Sequence, residues 1–171
     1  MTTEPPRHVT TRPATAEDVA TVAELWYAGW VDGHTGNVPD QLLAHRTQES
    51  FLPRTRERVD DMWVAESDGR VLGFVVVLAP EVEQVYVDAT ARGTGVADLL
   101  LRLAQEVVRD AGHDRAWLAV AAGNERARRF YDRQGWRDSG SYAYAAEVPG
   151  GTMPVPTRRY EFDLARPARQ G

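Results

Sequence analysis

The sequence predicts one mixed α/β domain of the α+β kind, and two observations carry that reading. The first is length: 171 residues suit a single core that buries roughly two-thirds of the unfolded chain's surface without disulfides or metal. The second is the order of periodicities along the chain. A helical pair comes first, then an antiparallel meander, then strand, helix, strand, helix and a closing hairpin.

Taken in order, Val9 to Arg12 reads as a short strand. Thr15 and Asp18 then offer a capping-box-like helix start, and Val19, Val22, Ala23, Leu25, Trp26 and Trp30 recur at helical spacing. Gly33, Gly36 and Pro39 break that pattern. A second helical region is expected from Asp40 to Arg58, interrupted near Pro53. Met62 to Glu66 and Val71 to Leu78 are strand-like runs joined by Ser67-Asp68-Gly69-Arg70, whose Asp-Gly pair is a hairpin signal. A third run spans Val82 to Val87. From Val96 the period changes, and Val96, Leu99, Leu100, Leu103 and Val107 form one stripe of a helix that stops at Gly112. Arg115 to Val120 is a strand apolar enough to be buried on both faces. Asn124 can cap a short helix ending at Gly135, after which Trp136, Tyr142 and Tyr144 precede a last strand from Val155 to Leu164. The domain is therefore expected over residues 9–164, with flexible segments at 1–8 and 165–171.

Composition narrows the chemistry. Cysteine is absent, which excludes thiol nucleophiles and cysteine-ligated zinc and suits a reducing, cytoplasmic setting. The N-terminal stretch has no apolar run, so neither a signal nor a membrane anchor is expected. A net charge of −5 argues against nucleic acid as a partner and suits a neutral or cationic substrate. All 20 basic residues are arginine. No lysine is therefore present for a Walker loop or a Schiff base. His8, His45 and His113 lack ligand spacing, and no metal site is predicted.

The most informative stretch is Arg92-Gly93-Thr94-Gly95-Val96-Ala97, where a strand and short loop meet a helix start. Free backbone N–H groups and the positive helix end converge there, which attracts phosphate; the two glycines permit close approach and Arg92 adds charge. A dinucleotide fingerprint fails because Asp98 stands where its third glycine belongs. An ordinary Gly-containing turn would account for two glycines equally well. Upstream, Glu81 and Glu83 stand two residues apart on the strand leading to the loop, where either could take a proton, or both could be solvated.

At these residues the chain resembles the GNAT superfamily of acyl-CoA-dependent N-acyltransferases. Arg92, Gly95 and Ala97 match its Gln/Arg-x-x-Gly-x-Gly/Ala motif, and Asn124, Ala127 and Phe130-Tyr131 match its Asn-x-x-Ala-x-x-Phe-Tyr block, with Val85-Tyr86-Val87 as the strand before the loop. The resemblance implies a mostly antiparallel sheet of about six or seven strands, with parallel fourth and fifth strands that splay apart, flanked by about four helices. It implies acetyl-CoA as acyl donor, held by the strand residues Val85, Tyr86 and Val87, by the loop Arg92, Gly93, Thr94, Gly95, Val96 and Ala97, and by Asn124 and Tyr131. It also implies Tyr131 as the acid that protonates the leaving thiolate.

Transfer to an amine needs a neutral nucleophile, and deprotonating an alkylammonium at pH 7 costs about 4–5 kcal/mol. Glu83, one step nearer the expected thioester, is the preferred base, with Glu81 almost equally placed. Trp30, His34 and Tyr142 are candidates for the acceptor site, Asp32 standing beside the first two. The expected function is acetyl transfer from acetyl-CoA to a primary amine of a small molecule, by direct attack in a ternary complex. The alternatives are acetylation of a protein N-terminus or lysine, and a non-catalytic acyl-CoA-binding module. A homodimer is compatible with all of these.

Overall fold

A computed structural model describes residues 8–164. The expected terminal segments, 1–7 of the first and all of 165–171, lie outside the described residues. Seven strands form one sheet: β1 (Thr10–Pro13), β2 (Met62–Ser67), β3 (Arg70–Leu78), β4 (Glu81–Val87), β5 (Arg115–Ala121), β6 (Arg137–Val148) and β7 (Gly151–Asp163). Their spatial order is β1-β2-β3-β4-β5-β7-β6, antiparallel throughout except for the parallel β4–β5 pair. Five α-helices flank it: α1 (Val19–His34), α2 (Asp40–His45), α3 (Phe51–Arg58), α4 (Val96–Asp110) and α5 (Glu125–Arg133). None of the helices among the described residues is long and apolar enough to cross a membrane.

Local chemistry explains most boundaries. The Asp18 carboxylate accepts the Thr15 backbone N–H at 2.8 Å and pairs with Arg12 at 2.8 Å, fixing the entry to α1. At the β2–β3 turn Asp68 and Gly69 both take positive φ, +51° and +75°, as a two-residue hairpin turn demands. The stripe on α4 buries Val96, Leu100, Leu101, Ala104 and Val108.

Three expectations need correction. Of the stripe expected on α4 only Val96 and Leu100 are buried; Leu99 is exposed and Leu103 and Val107 are half-buried, because the helix turns Leu101, Ala104 and Val108 to the sheet instead. The helical region 40–58 breaks at Arg46, whose φ of −109° and ψ of 56° end α2, and not at Pro53. Pro53 lies in the first turn of α3, where a backbone N–H has no intrahelical partner to lose. The last strand begins at Gly151 and not at Val155. Its prolines, Pro154 and Pro156, are tolerated because that half pairs only with β6; β5 engages β7 from Thr157 onward.

The sheet separates two cores. On one face α4 and α5, the latter through Tyr131, cover Val75, Val77, Val82, Leu118 and Tyr160. On the other α1 and α3 cover Met62, Val64, Phe74 and Val76 with Trp26, Trp30 and Phe51. Phe51 is 1 % exposed, its ring 5.7 Å from Trp26 and 5.6 Å from Tyr27. Phe51→Ala is expected to cost about 3–5 kcal/mol of stability, read from chemical unfolding, because so dense an aromatic cluster collapses poorly around a void.

Candidate functional site

Strands β4 and β5 share a single rung, Glu81 opposite Trp117, where the Trp117 N–H donates to the carbonyl of Pro80 at 3.1 Å. Beyond that rung the strands part. The pairing of β4 with β3 decides which groups face the gap. Asp88 N–H donates to Leu72 O at 2.8 Å, so Val87 opposite Gly73 is a non-hydrogen-bonded pair, as is Val85 opposite Val75. The N–H and C=O groups of Val85 and Val87 therefore point into the gap. The backbone of Tyr86 faces β3 instead, leaving only its ring beside the site.

A bulge sorts the side chains of β4. Gln84 pairs with Val76 and Val82 with Val77, leaving Glu83 as the extra residue. Strict alternation would put Glu81, Glu83, Val85 and Val87 on one face. The bulge instead turns Val85 and Val87 onto the α4 side and leaves Glu81 and Glu83 on the α1 and α3 side, with Tyr86.

A cavity of about 610 Å³ runs through this gap. One end is the loop before α4. Gly93 and Gly95 have φ of +74° and +89°, and open space lies where a Cβ would project from either. Arg92, Gly93, Gly95 and Ala97 line the cavity. Val96 is buried in the core and Thr94 bonds back to the Ala91 carbonyl, so these two residues offer backbone only. Across the gap, Asn124 caps α5 by accepting the Ala127 N–H at 3.3 Å, while its amide nitrogen faces Gly33 of α1. Asp32 does not line the cavity. It bridges Arg92 at 2.7 Å and Arg126 at 2.6 Å, and these guanidiniums hold its carboxyl below the usual range, Arg126 most strongly.

The middle of the cavity holds the titratable groups. Glu83 is clamped by Arg58, whose Nε donates to both carboxylate oxygens at 2.9 and 3.1 Å. Glu81 has no such partner. Burial, and then the neighbouring Glu83 carboxylate, push it up to about 7, against the opposing pull of the Tyr144 hydroxyl. Tyr131 packs on Phe130, Trp136 and Tyr160 while lining the cavity, and burial raises its phenol, so it stays protonated at neutral pH.

The far end is roofed by α1. Gly29 lies so close to the Tyr86 ring that a Cβ would come within 2.4 Å, and at Gly33 one would come within 2.9 Å of Asn124. Trp30 and His34 line this end, stacked 4.6 Å apart. His34 Nδ1 lies 2.8 Å from the Trp30 carbonyl, which makes Nδ1 the protonated nitrogen, and burial pushes the ring down to about 4. His34 is thus neutral. Tyr142 does not line the cavity: it packs against Trp117 at 5.6 Å, beside the Arg159 guanidinium. Tyr144, two residues on, takes the cavity position. Sequence reasoning also missed Arg46, Arg54 and Arg58 on the wall, which come from a helical region without a motif.

The arrangement combines a Gly-rich loop at a helix start, free strand amides, one raised carboxyl and one protonated phenol around a single channel. The profile of the Acetyltransferase (GNAT) family matches residues 23–136. An uncharacterized N-acetyltransferase of Mycobacterium bovis is 31% identical over 116 residues, 65% of this chain and 72% of that one. Among solved structures, an N-acetyltransferase from Staphylococcus aureus superposes with a TM-score of 0.68 at 20% identity, covering 92% of this chain and 99% of that one. PaiA N-acetyltransferase from Thermoplasma acidophilum, in complex with coenzyme A, gives 0.63 at 16% identity, covering 91% and 99%.

Proposed function

Because the chain belongs to the acetyltransferase (GNAT) family, we propose that it transfers the acetyl group of acetyl-CoA to a primary amine of a small molecule, by direct attack in a ternary complex. The observation that carries this reading is the single rung between β4 and β5. It opens a channel with phosphate-binding geometry at one end and an ionisable carboxyl in its middle. The donor set fits the cofactor: loop N–H groups at the start of α4 and Arg92 suit a pyrophosphate, and the gap-facing amides of Val85 and Val87 suit an amide-bearing arm. Arg126, bridged to Arg92 through Asp32, adds a second cation at that end.

When bound, acetyl-CoA supplies a thioester carbonyl, so that an N–C bond forms as the C–S bond breaks. Glu81 takes the proton the amine must lose, directly or through water; a carboxyl near 7 is matched to that task at neutral pH. Glu83 is the weaker candidate, because both of its carboxylate oxygens already accept from Arg58. Tyr131 gives its phenolic proton to the departing sulfur and recovers one from solvent. The Val85 N–H, aimed into the gap, is placed to stabilise negative charge on the carbonyl oxygen. The roof formed by α1 over the channel favours a small acceptor over a peptide, which needs an open groove.

Incubation with acetyl-CoA and separate panels of polyamines, amino acids, aminoglycosides and peptides tests the proposal. The expected result is free thiol and an acetylated small molecule by mass. Turnover of peptides alone overturns the acceptor class, and no thiol release with any panel overturns the transferase reading. Once an acceptor is found, Tyr131→Phe is expected to lower kcat by about 10²–10³-fold with little change in fold, since only the hydroxyl is removed. An unchanged kcat would reduce Tyr131 to a packing residue.

A further inference from the structure

The cavity that holds Glu81 also carries two arginines with no carboxylate within 4.0 Å among the described residues, Arg46 buried and Arg54 half-buried. Arg46, which terminates α2, is 8 % exposed and lines the cavity. Its Nη2 donates to the backbone carbonyl of Glu147 at 2.8 Å. Its Nη1 is buried and has no hydrogen-bond partner. Arg54 of α3 lines the same wall and donates to the same carbonyl at 3.3 Å. Among the described residues neither has a carboxylate within 4.0 Å, whereas Arg58, one turn further along α3, holds Glu83 at 2.9 Å.

This is an expensive arrangement. A guanidinium taken out of water without a partner costs several kcal/mol. Burial, and then the like charge of Arg54, push Arg46 down to about 10. Anchoring the β6–β7 hairpin does not require it, since a single neutral donor satisfies one carbonyl. An orphaned donor and two guanidiniums that the nearby carboxylates, Glu147 foremost, do not approach within 4.0 Å are instead the chemistry of an anion site. Glu81 lines the same cavity, as does Trp30, over whose ring the Arg46 guanidinium lies 6.0 Å from the centroid. One cavity therefore offers a carboxylate to an amine, cations to an anion and an apolar wall to whatever joins the two.

We propose that Arg46 and Arg54 receive the carboxylate of an amino acid whose amine stands at Glu81. The acceptor class is thus an amine bearing a carboxylate, and not a simple alkylamine, a polyamine or a protein lysine. This rests on the transferase reading above, so the test separates the two. Protein loaded with CoA, which cannot react, is titrated calorimetrically with matched trios: a free amino acid, its carboxamide and its decarboxylated amine. The trios span aromatic, aliphatic and acidic side chains and α, β and γ spacings of amine and carboxylate.

For at least one trio the acid is expected to bind about tenfold or more tightly than its two partners. Arg54→Gln and Arg46→Gln should each bring that ratio towards one. Because the ratio is read within one protein, loosening of the fold around buried Arg46 weakens all three members alike and does not imitate the effect. Arg54, less buried, provides the independent variant. Equal or weaker binding of the acid in every trio overturns the site, as does a ratio unaffected by both substitutions, or failure of every member to bind. Thiol release is then measured separately with acetyl-CoA. A tightly bound acid that is never acetylated refutes the transfer and leaves the carboxylate site standing; acetylation of amines and amides but not acids does the reverse.

Discussion

Glu81→Gln is expected to lower kcat/KM by about 10²–10⁴-fold, the range of a positioned general base. The pH profile gives the sharper signature. With its carboxyl raised to about 7, Glu81 is protonated and unable to accept a proton below that pH, so kcat/KM in the parent enzyme should climb through about 7 and level off above it. The variant should lose that limb. A profile that survives the substitution would move the base elsewhere, and Glu83→Gln would then be the next measurement. Stability should respond in the opposite sense. A carboxyl raised above its ordinary 4.5 on folding contributes stability that is fully present below about 4.5 and lost as pH rises through about 7. Glu81→Gln is therefore expected to resist unfolding better than the parent above pH 7 while catalysing worse. The trade fits a functional group held where the fold disfavours its charge.

Replacing Gly93 and Gly95 together by Asp is expected to weaken CoA binding by about 10²–10⁴-fold, since two charged hydrogen-bonding positions at about 1.5–3 kcal/mol each become repulsive. Aspartate is chosen for a conformational reason. Both positions have positive φ, and aspartate visits that region more readily than most side chains, so the loop's path is retained. No atom stands within 4 Å of either projected Cβ. The fold should survive, which circular dichroism and an unfolding curve would verify, and calorimetry should show the lost affinity. Retained CoA binding in a folded double variant would sink the phosphate-loop assignment itself.

What could be read from the sequence was what neighbouring residues decide among themselves. The Asp68-Gly69 turn, the Asn124 cap and the two loop glycines each depend on contacts within a few positions, and each stands where it was expected. The properties that rank the candidate groups come from distance. Arg58 reaches Glu83 across 25 positions and Arg46 reaches the Glu147 carbonyl across 101, so neither the committed glutamate nor the orphaned guanidinium leaves a local trace. The bulge at Glu83 has the same character, because it exists only in the pairing with β3. Tyr142 and Tyr144 illustrate the limit most simply. Both lie on β6 with the same parity, and tertiary packing alone gives one to Trp117 and the other to the cavity.

The parting of β4 from β5 also bears on how the molecule comes undone. A sheet of seven strands joined in its middle by one register pair divides into two strand blocks, β1 to β4 and β5 to β7, which meet at Glu81 and Trp117 over a core that spans both. Backbone amides lining the parting have no sheet partner to protect them, so without ligand they should be among the fastest of all strand amides to exchange with deuterated solvent. A ligand lying along the parting serves as a temporary strand, and at a hundred times its Kd adds about 2.7 kcal/mol to the stability of the whole. Protection should then spread into both blocks at once, making the acyl donor part of the architecture for as long as it stays.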